Sequence, residues 1–520
     1  MSDIEQKLIE LLDNIKRQVT IVDIEDQRLF LARIYGNLCW MNNIKLFEDD
    51  YWEKLFVNDL YDKYSKIISI DKQVKDELHI ITECYPYGGH TRLLENILRI
   101  RCAGDVLISR VEFSYKEKLS VWDSCNIYKF PSKDANIEDI ISIAQSYKII
   151  YLHINPDDII SSVAVGILKK KLINNIKIVF VNHADHVFSF GLEYVDLIAE
   201  VGLNGYSINK NYRKNKGLKS FFLGIPIDFR HLAEDRIGFN KQTKFTIISS
   251  GADYKYKPFK DYNFPNFIEK LISTNIDFEL IILGVDKSKS YWKSLYKYEN
   301  IKLLESVSFP EYQKIISKAH LCLDSWPYFG GTALPNAWMK GLCVTGLYVP
   351  IIGVSPIQQV WFSSDDELLK EIQSFYQDYK QSKIYKLNTS NELKEEFIKN
   401  HSFENIGVRL DNALKSDNVT FEYFTDYDLS ENDSLFFYKI WKAESKINFA
   451  EAHKDWLVNY LFNKNKNLTM SNKNLENELN RIYHSWNWKI MMPVRVFLNI
   501  YRKAFKIKNK QQKDEKDEKD

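Results

Sequence analysis

The sequence predicts an α/β protein with two parallel sheets that face each other across a cleft. Three features predict this fold. From Leu78 onward, short apolar runs alternate with helical stretches; a polar, charged stretch near 228–244 interrupts the series; and a second series of the same kind follows. Alternating β and α segments are typical of parallel sheets. The carboxyl ends of two such sheets form a cleft where ligands usually bind.

The N-terminal segment has apolar residues at helical spacing, such as Ile4, Leu8, Leu11 and Ile15, with no Gly or Pro punctuation. This pattern predicts helices. The expected domains, in chain order, are a helical region (1–75), a first Rossmann-like domain (76–228), a second Rossmann-like domain (244–365), a helical C-terminal region (366–465), a polar linker with a basic amphipathic segment (466–510) and a disordered tail (511–520).

Short apolar runs predict the strands of both domains. In the first domain they are LHIIT, DVLIS, KIIYLHI, KIVFVNH, VDLIAEV and FFLGIP. In the second they are KFTIISSG, FELIILG, IKLLE, LCLDSWP and LCVTGLY. Helical stretches such as 91–101 separate them, so each domain is expected to be a doubly wound sheet.

Composition excludes several classes of protein. With 45% hydrophobic and 14% aromatic residues, the 520-residue chain has enough apolar surface for more than one core. Lys and Arg number 71 against 70 Asp and Glu, so no overall field attracts nucleic acid. The six cysteines form no CxxC pair or Cys/His cluster and the N-terminus is not signal-like. These features predict a reduced, cytoplasmic protein without zinc. No transmembrane segment is expected, because Gly and Pro residues interrupt the longest uncharged stretch, 341–364.

The first candidate motif, ECYPYGGHTRLLENIL, joins a strand to a helix through Gly88 and Gly89. Glycines allow backbone N–H groups to approach a ligand closely. We expect this pair to shape an acceptor site, with His90 beside it as a candidate catalytic residue. The structural alternative is an ordinary strand-to-helix turn.

The second motif, KIVFVNHADHVFSFG, places His183, Asp185 and His186 after an apolar strand. An imidazole or carboxylate at this position could orient or deprotonate an acceptor hydroxyl, so His183 and Asp185 are candidate catalytic residues. A zinc site is not expected, because no third and fourth ligands lie nearby. A hydrogen-bonded structural histidine is the alternative.

The third motif, SSGADYKYKP, follows the first strand of the second domain. Gly251 permits a tight turn, and Lys255 or Lys257 could place a positive charge on a diphosphate.

The fourth motif, HLCLDSWPYFGGTALPNAWMKGLCVTG, is the most specific. A strand ends in a loop, and Gly330, Gly331 and Thr332 precede a helix that carries Asn336. Free backbone N–H groups at such a position can bind a pyrophosphate.

These motifs resemble those of GT-B glycosyltransferases. The fourth is similar to the nucleotide site of family 41, which includes O-GlcNAc transferase and bacterial adhesin glycosyltransferases. YKYKP resembles that family's Tyr/Met-Lys-x-x-Pro, which implies that Lys255 contacts the donor diphosphate. Asn336 stands where the family usually has an acid at the donor ribose, whereas the GGHTR loop is closer to family 4. The resemblance covers 78–365 and is strongest over 245–347.

The C-terminal segment 481–510 contains eight Lys or Arg residues and no acid, interleaved with Trp, Phe, Met and Ile. Such a basic amphipathic segment suits an anionic membrane surface; the alternative is a helix docked on the protein. The sequence YHSWNWKIMMPVRVF also resembles the ends of bacterial O-antigen and capsule glycosyltransferases, which implies a membrane-linked acceptor.

The resemblance and the motifs together predict a metal-independent glycosyltransferase at the inner face of the bacterial cell membrane, peripheral and cytoplasmic. It would use a UDP- or GDP-sugar and no cofactor, and would glycosylate a hydroxyl of a surface glycan of the O-antigen or capsule type, such as lipopolysaccharide. No nucleic acid partner is expected. The only Asp-x-Asp triplet, at 426–428, lies outside both sheets and is expected to be surface acid.

Two alternatives remain open at this stage. One is a protein glycosyltransferase that modifies Asn or Ser/Thr of an adhesin, which the family 41 resemblance and the N-terminal helices favour. The other is a catalytically silent GT-B subunit that binds a glycan or scaffolds an assembly, which the absent ribose carboxylate favours.

Overall fold

The structure is a computed structural model in which the described residues fall into two compact units, one up to Leu46 and the other within Phe47–Ile440. The described residues are 3–42, 44–85, 89–110, 125–130, 134–213, 219–229, 244–331, 333–350, 361–381, 391–416, 436 and 439–440.

The first unit contains the helices α1 (Asp3–Ile21) and α2 (Glu25–Met41), which contact each other. In α1 the buried residues Leu8, Leu12, Ile15 and Val19 recur every three or four positions. This spacing places them on one helix face, which is why the segment forms an amphipathic helix.

The second unit contains the remaining elements. Its strands are β1 (Lys75–Ile81), β2 (Asp105–Ile108), β3 (Ile127–Tyr128), β4 (Tyr147–His153), β5 (Lys177–Asn182), β6 (Leu197–Glu200), β7 (Lys219–Phe222), β8 (Phe245–Ser250), β9 (Phe278–Leu283), β10 (Ile301–Leu304), β11 (Leu321–Leu323) and β12 (Cys343–Thr345). Its helices are α3 (Asp50–Tyr64), α4 (Gly89–Arg101), α5 (Ile137–Ala144), α6 (Ile159–Lys171), α7 (Leu203–Asn211), α8 (Phe264–Ile272), α9 (Phe309–Ile316), α10 (Ala333–Met339), α11 (Asp365–Lys380), α12 (Asn391–His401) and α13 (Phe403–Lys415).

The strands form two sheets in which all paired neighbours are parallel. The first has the order β3-β2-β1-β4-β5-β6-β7, and the second has the order β10-β9-β8-β11-β12. In each sheet the strand numbers first decrease and then increase across the sheet. The change falls between β1 and β4 in the first sheet and between β8 and β11 in the second. In doubly wound sheets, ligands bind outside the carboxyl ends of the strands at this reversal.

The central strands are buried almost completely, as expected for sheets that helices cover on both faces. In β5, every residue after Lys177 is buried. On the second sheet, α11 contributes Phe375, Tyr376 and Tyr379, whose rings pack around Phe245 of β8. These contacts cover the amino-terminal end of β8.

The last described helix, α13, follows the second sheet in the chain but packs on the first. Its Ile406, Leu410 and Ala413 join a buried cluster with Leu93 of α4 and Val179 of β5. The Arg409 guanidinium donates to the carbonyl oxygens of residues 222 and 223, at the end of β7. Helix α11 therefore packs on the second sheet and helix α13 on the first.

In the described part of the chain, no helix is both long and apolar enough to cross a bilayer. The basic segment 481–510, the tail 511–520 and the acidic triplet 426–428 lie outside the described residues, as do Gly88 and Thr332.

Candidate active site

A cavity of about 350 Å³ lies between the carboxyl ends of the two sheets. Residues that follow β1, β5, β6 and β7 line one side of it, and residues that follow β8 and β11 line the other. The predicted site residues that line it are Gly89, His90, His183, Asp185, Lys255, Gly331 and Asn336.

This geometry confirms the predicted fold class. Two Rossmann-like sheets with a cleft between their carboxyl ends are the arrangement of a GT-B fold. The cleft lies at the two strand-order reversals, where the topology of doubly wound sheets favours ligand binding.

On the side of the second sheet, Lys255 is the cationic residue that lines the cavity among the residues described. It lies in a 3-10 helix, Asp253–Tyr256, directly after β8. Its Nζ donates to the carbonyl oxygen of Phe329 at 2.9 Å. Burial lowers the pKa of Lys255, and the Asp324 carboxylate opposes this shift. An ammonium group has three N–H donors, so Lys255 retains donors for an anionic ligand beyond the one that it directs to Phe329.

Asp324, at the end of β11, organises the loop that faces Lys255. Its Oδ1 accepts the backbone N–H of Gly330 at 2.6 Å, and burial raises the pKa of this carboxyl group. A Cβ at position 330 would lie 2.5 Å from the same oxygen, so only glycine fits there. Because the N–H of Gly330 already has an acceptor, this glycine shapes the loop, whereas Gly331 lines the cavity.

Of the other predicted donor-site residues, Gly331 lines the cavity, whereas Gly251 and Lys257 do not. Gly331 has a φ of +50°, in the left-handed region, and a Cβ there would lie 3.7 Å from Lys255 Nζ. Gly251 does not line the cavity; a Cβ at 251 would lie 3.2 Å from Lys255 Cδ, so this glycine makes room for the lysine stem. Lys257 is absent from the cavity lining. Their roles stay predictions.

On the side of the first sheet, four histidines form one cluster. His79 Nδ1 lies 3.1 Å from His153 Nε2, and His153 Nδ1 lies 2.9 Å from His183 Nε2. His90 Nε2 lies 3.1 Å from the carbonyl oxygen of His153. The rings of His90 and His183 meet edge to face, with centroids 4.2 Å apart. Sheet register brings the cluster together, because Ile81, two residues after His79, pairs with His153.

All four imidazoles are neutral near pH 7. Burial lowers the pKa of His79 to about 3 and that of His90 to about 4. Burial also lowers the pKa values of His153 and His183 well below their usual range, and the neighbouring imidazoles add to this effect. The cluster can therefore exchange hydrogen bonds with a ligand without carrying charge.

Asp185 lies apart from these contacts and pairs with its neighbour, because His186 Nδ1 lies 3.2 Å from Asp185 Oδ1. Both residues line the cavity. Asn336 of α10 lines it from the opposite side, next to the Gly331 loop.

Sequence reasoning missed several residues of this site: His79, His153, Asp324 and Arg92. His153 and Asp324 each end an apolar strand, which was an available signal, since polar residues at such ends line clefts. Arg92 lines the cavity and pairs with the buried Glu95 at 2.5 Å. His79 lies inside a buried strand and carried no signal. Among the described residues, no group of three or more His, Cys, Asp or Glu side chains is placed to hold a metal ion.

No family model matches the sequence, and no curated protein does either. Several solved structures are similar to this one at low identity. The lipopolysaccharide outer core galactosyltransferase WaaB is 10% identical, with a TM-score of 0.44, over 65% of this chain and 99% of WaaB. Anabaena HepE, in complex with UDP and glucose, is 13% identical, with a TM-score of 0.47, over 65% and 99% of the two chains. A variant of the Thermobaculum terrenum O-GlcNAc transferase is 11% identical, with a TM-score of 0.41, over 83% and 82%.

Proposed function

We propose that this protein is a glycosyltransferase that transfers a sugar from a nucleotide-diphosphate-sugar to a hydroxyl group. The observation that carries this proposal is a single cavity that has a cation from the second sheet on one side and neutral imidazoles from the first sheet on the other. Glycosyl transfer needs both: stabilisation of a departing diphosphate and polar groups around an acceptor hydroxyl.

The donor would lie against the second domain. Lys255 would stabilise the diphosphate as its negative charge grows, with the Gly331 backbone beside it, because both line the cavity. Asn336 would hydrogen-bond the ribose. Tyr254 and Tyr328, whose rings pack edge to face at 5.4 Å, add an aromatic surface to the same side of the cavity. The donor is proposed to be a UDP- or GDP-sugar.

The acceptor would lie against the first domain. His90, His183 and Asp185 line this side, with Gly89 at the start of α4. Imidazoles that are neutral at physiological pH can accept or donate a hydrogen bond to a hydroxyl group.

Metal independence is part of the proposal. A divalent cation often neutralises the leaving diphosphate in other transferases; here the ammonium group of Lys255 is proposed to do so. Turnover should then persist in a chelator such as EDTA.

The acceptor is proposed to be a bacterial surface glycan, or a lipid-linked form of it, reached at the inner face of the cell membrane. This part rests on the composition of 481–510 and on the sequence resemblance of the C-terminal end to O-antigen and capsule enzymes.

A thermal-shift panel of UDP, GDP, CMP, ADP and dTDP tests the donor site. A nucleotide at about 100 times its Kd stabilises the folded state by about 2.7 kcal/mol. Lys255→Met keeps the stem beside Gly251 but removes the charge, and should weaken binding about tenfold or more, the usual cost of losing a charged hydrogen-bond partner. Lys257→Met is the matched control, because Lys257 does not line the cavity.

We expect one nucleotide to stabilise the wild type and Lys257→Met equally, and Lys255→Met much less. No stabilisation by any nucleotide would favour the scaffold alternative over the enzyme. Equal stabilisation of both variants would remove Lys255 from the donor site.

A further inference from the structure

The proton on His90 follows from its hydrogen bond to the protein. His90 Nε2 lies 3.1 Å from the carbonyl oxygen of His153. A carbonyl oxygen can only accept a hydrogen bond, so Nε2 must carry the hydrogen. Because burial keeps the imidazole neutral near pH 7, Nδ1 carries none. Among the described residues none donates a hydrogen bond to this Nδ1, and His90 lines the cavity, so Nδ1 can accept a hydrogen bond from a ligand there.

The protons along His79, His153 and His183 are linked. Each of the two contacts, at 3.1 Å and 2.9 Å, joins two ring nitrogens, so one of each pair must donate and the other accept. A neutral imidazole has one N–H and one lone pair. The N–H groups in these two contacts must therefore point in the same direction along the three histidines. Either both point towards His183, or both point towards His79.

The surroundings of His79, the buried member at one end of these three histidines, decide between the two directions. His79 is fully buried, and its Nε2 has no hydrogen-bond partner among the described residues. This nitrogen packs beside Gly104, where an added Cβ would lie 3.2 Å from it. Buried N–H groups without an acceptor are rarer than buried acceptors without a donor. The favoured arrangement therefore leaves Nε2 of His79 bare and places its hydrogen on Nδ1, where it is donated to His153 Nε2.

We propose that His79 and His153 set the tautomer of His183, so that His183 carries its hydrogen on Nδ1 while His90 leaves its Nδ1 bare. The two imidazoles that meet in the cavity thus have opposite roles. His183 donates a hydrogen bond to a ligand oxygen, and His90 accepts one from the acceptor hydroxyl. The ligand identities rest on the proposed function, but the tautomers do not. His79 and His153 act through His183 and are positioning residues.

This assignment differs from the role that the sequence motif favours for His183. The motif predicts that His183 orients or deprotonates the hydroxyl, with His90 beside it. The hydrogen bonds instead favour His90 as the group that receives a proton, because its ring presents a lone pair and that of His183 presents an N–H.

Nitrogen NMR of the full chain with ¹⁵N-labelled histidine tests the proposal at pH 8, without nucleotide. Protonated and bare ring nitrogens have well-separated shifts, and His183→Gln and His90→Gln variants assign the signals. We expect His183 to show a protonated Nδ1 and a bare Nε2, and His90 to show the reverse. Finding a bare Nδ1 in His183, or a protonated Nδ1 in His90, would overturn the assignment.

Two substitutions of similar size test whether His153 sets the tautomer. His153→Asn places an amide N–H near the position of Nδ1 and can still donate to His183; His153→Leu cannot. Both leave the backbone carbonyl that anchors His90. We expect His153→Asn to keep the His183 signals, and His153→Leu to lose the single protonated Nδ1 in favour of a mixture of tautomers. Unchanged His183 signals in His153→Leu would overturn the positioning role.

The NMR measurement of the histidine tautomers tests the histidine assignment independently of the proposed function. The expected tautomers in a protein that binds no nucleotide would count against the glycosyltransferase but not against the histidine assignment. The wrong tautomers in an active enzyme would do the opposite.

Discussion

At Glu53 of α3, burial raises the pKa of the carboxyl group to about 8, although backbone N–H groups of residues 191–193 donate to it. Its exposed fraction is only 3%. The folded state therefore keeps a proton that the unfolded chain releases above about pH 4.5. Between these values unfolding releases a proton, so a rise in pH destabilises the fold by up to about 1.4 kcal/mol per pH unit.

Glu53→Gln should remove this pH dependence. The free energy of unfolding of the variant, relative to wild type, should rise steadily from pH 5 to pH 8, as measured by urea unfolding at several pH values. Glu138→Gln, at an exposed position of α5, is the control and should give no such trend. Parallel pH profiles for wild type and Glu53→Gln would contradict the raised pKa.

Single residues of the site differ in how far the sequence could indicate them. Gly330 and Gly331 follow a strand in a glycine-rich loop, and local spacing was enough to indicate them. Spacing left Lys255 and Lys257 as alternatives, and only the resemblance to the family 41 motif favoured Lys255. Asp324 was missed although it lies in the same motif, because its role depends on reaching the N–H of Gly330 across a folded loop.

At the scale of elements, α13 follows the second sheet in the chain but packs on the first sheet. Leu410 has an exposed fraction of 1%, within the cluster that α13 forms with α4 and β5. Val408, two residues earlier in the same helix, has an exposed fraction of 58%. Replacing each of these aliphatic side chains with alanine therefore compares a buried and an exposed position of the same helix.

Leu410→Ala should lower the free energy of unfolding by about 2–5 kcal/mol, because it leaves a cavity in a packed cluster. Val408→Ala should change it by less than about 0.5 kcal/mol. Chemical denaturation of both variants measures the difference. Equal, small effects would show that α13 does not hold the first sheet as its contacts indicate.

The existence of most elements could be predicted, but not their partners. Apolar periodicity predicts a helix near 403–415 without saying which sheet it covers. The register of β1 and β4 cannot be read from the sequence either. Both strands are buried on both faces over most of their length, so no alternation of buried and exposed residues selects a face or a pairing.

At the scale of the whole molecule, the proposed membrane association depends on a segment outside the described residues. The eight basic residues within 481–510 would each contribute about 1 kcal/mol near an anionic surface. Removing 481–520 should abolish sedimentation with vesicles that contain anionic lipid, whereas removing only 511–520 should not. Binding by the full chain should weaken at high salt.

A full chain and a 481–520 deletion that sediment equally would contradict the membrane role of this segment. Turnover of a soluble acceptor by the deletion variant provides the check that its catalytic domains remain folded.

The sequence by itself determined the two α/β series, the fold class, the segments after strands in which Lys255 and Gly331 lie, and the helix that carries Asn336. These follow from periodicity and from glycine and lysine at strand ends, which are local properties of the chain. Only the tertiary structure decided that His79 and His153, 74 positions apart, join His183 and His90 in one cluster. That depends on the pairing and register of separate strands, and the hydrogen bonds that assign each proton exist only once those strands are in place.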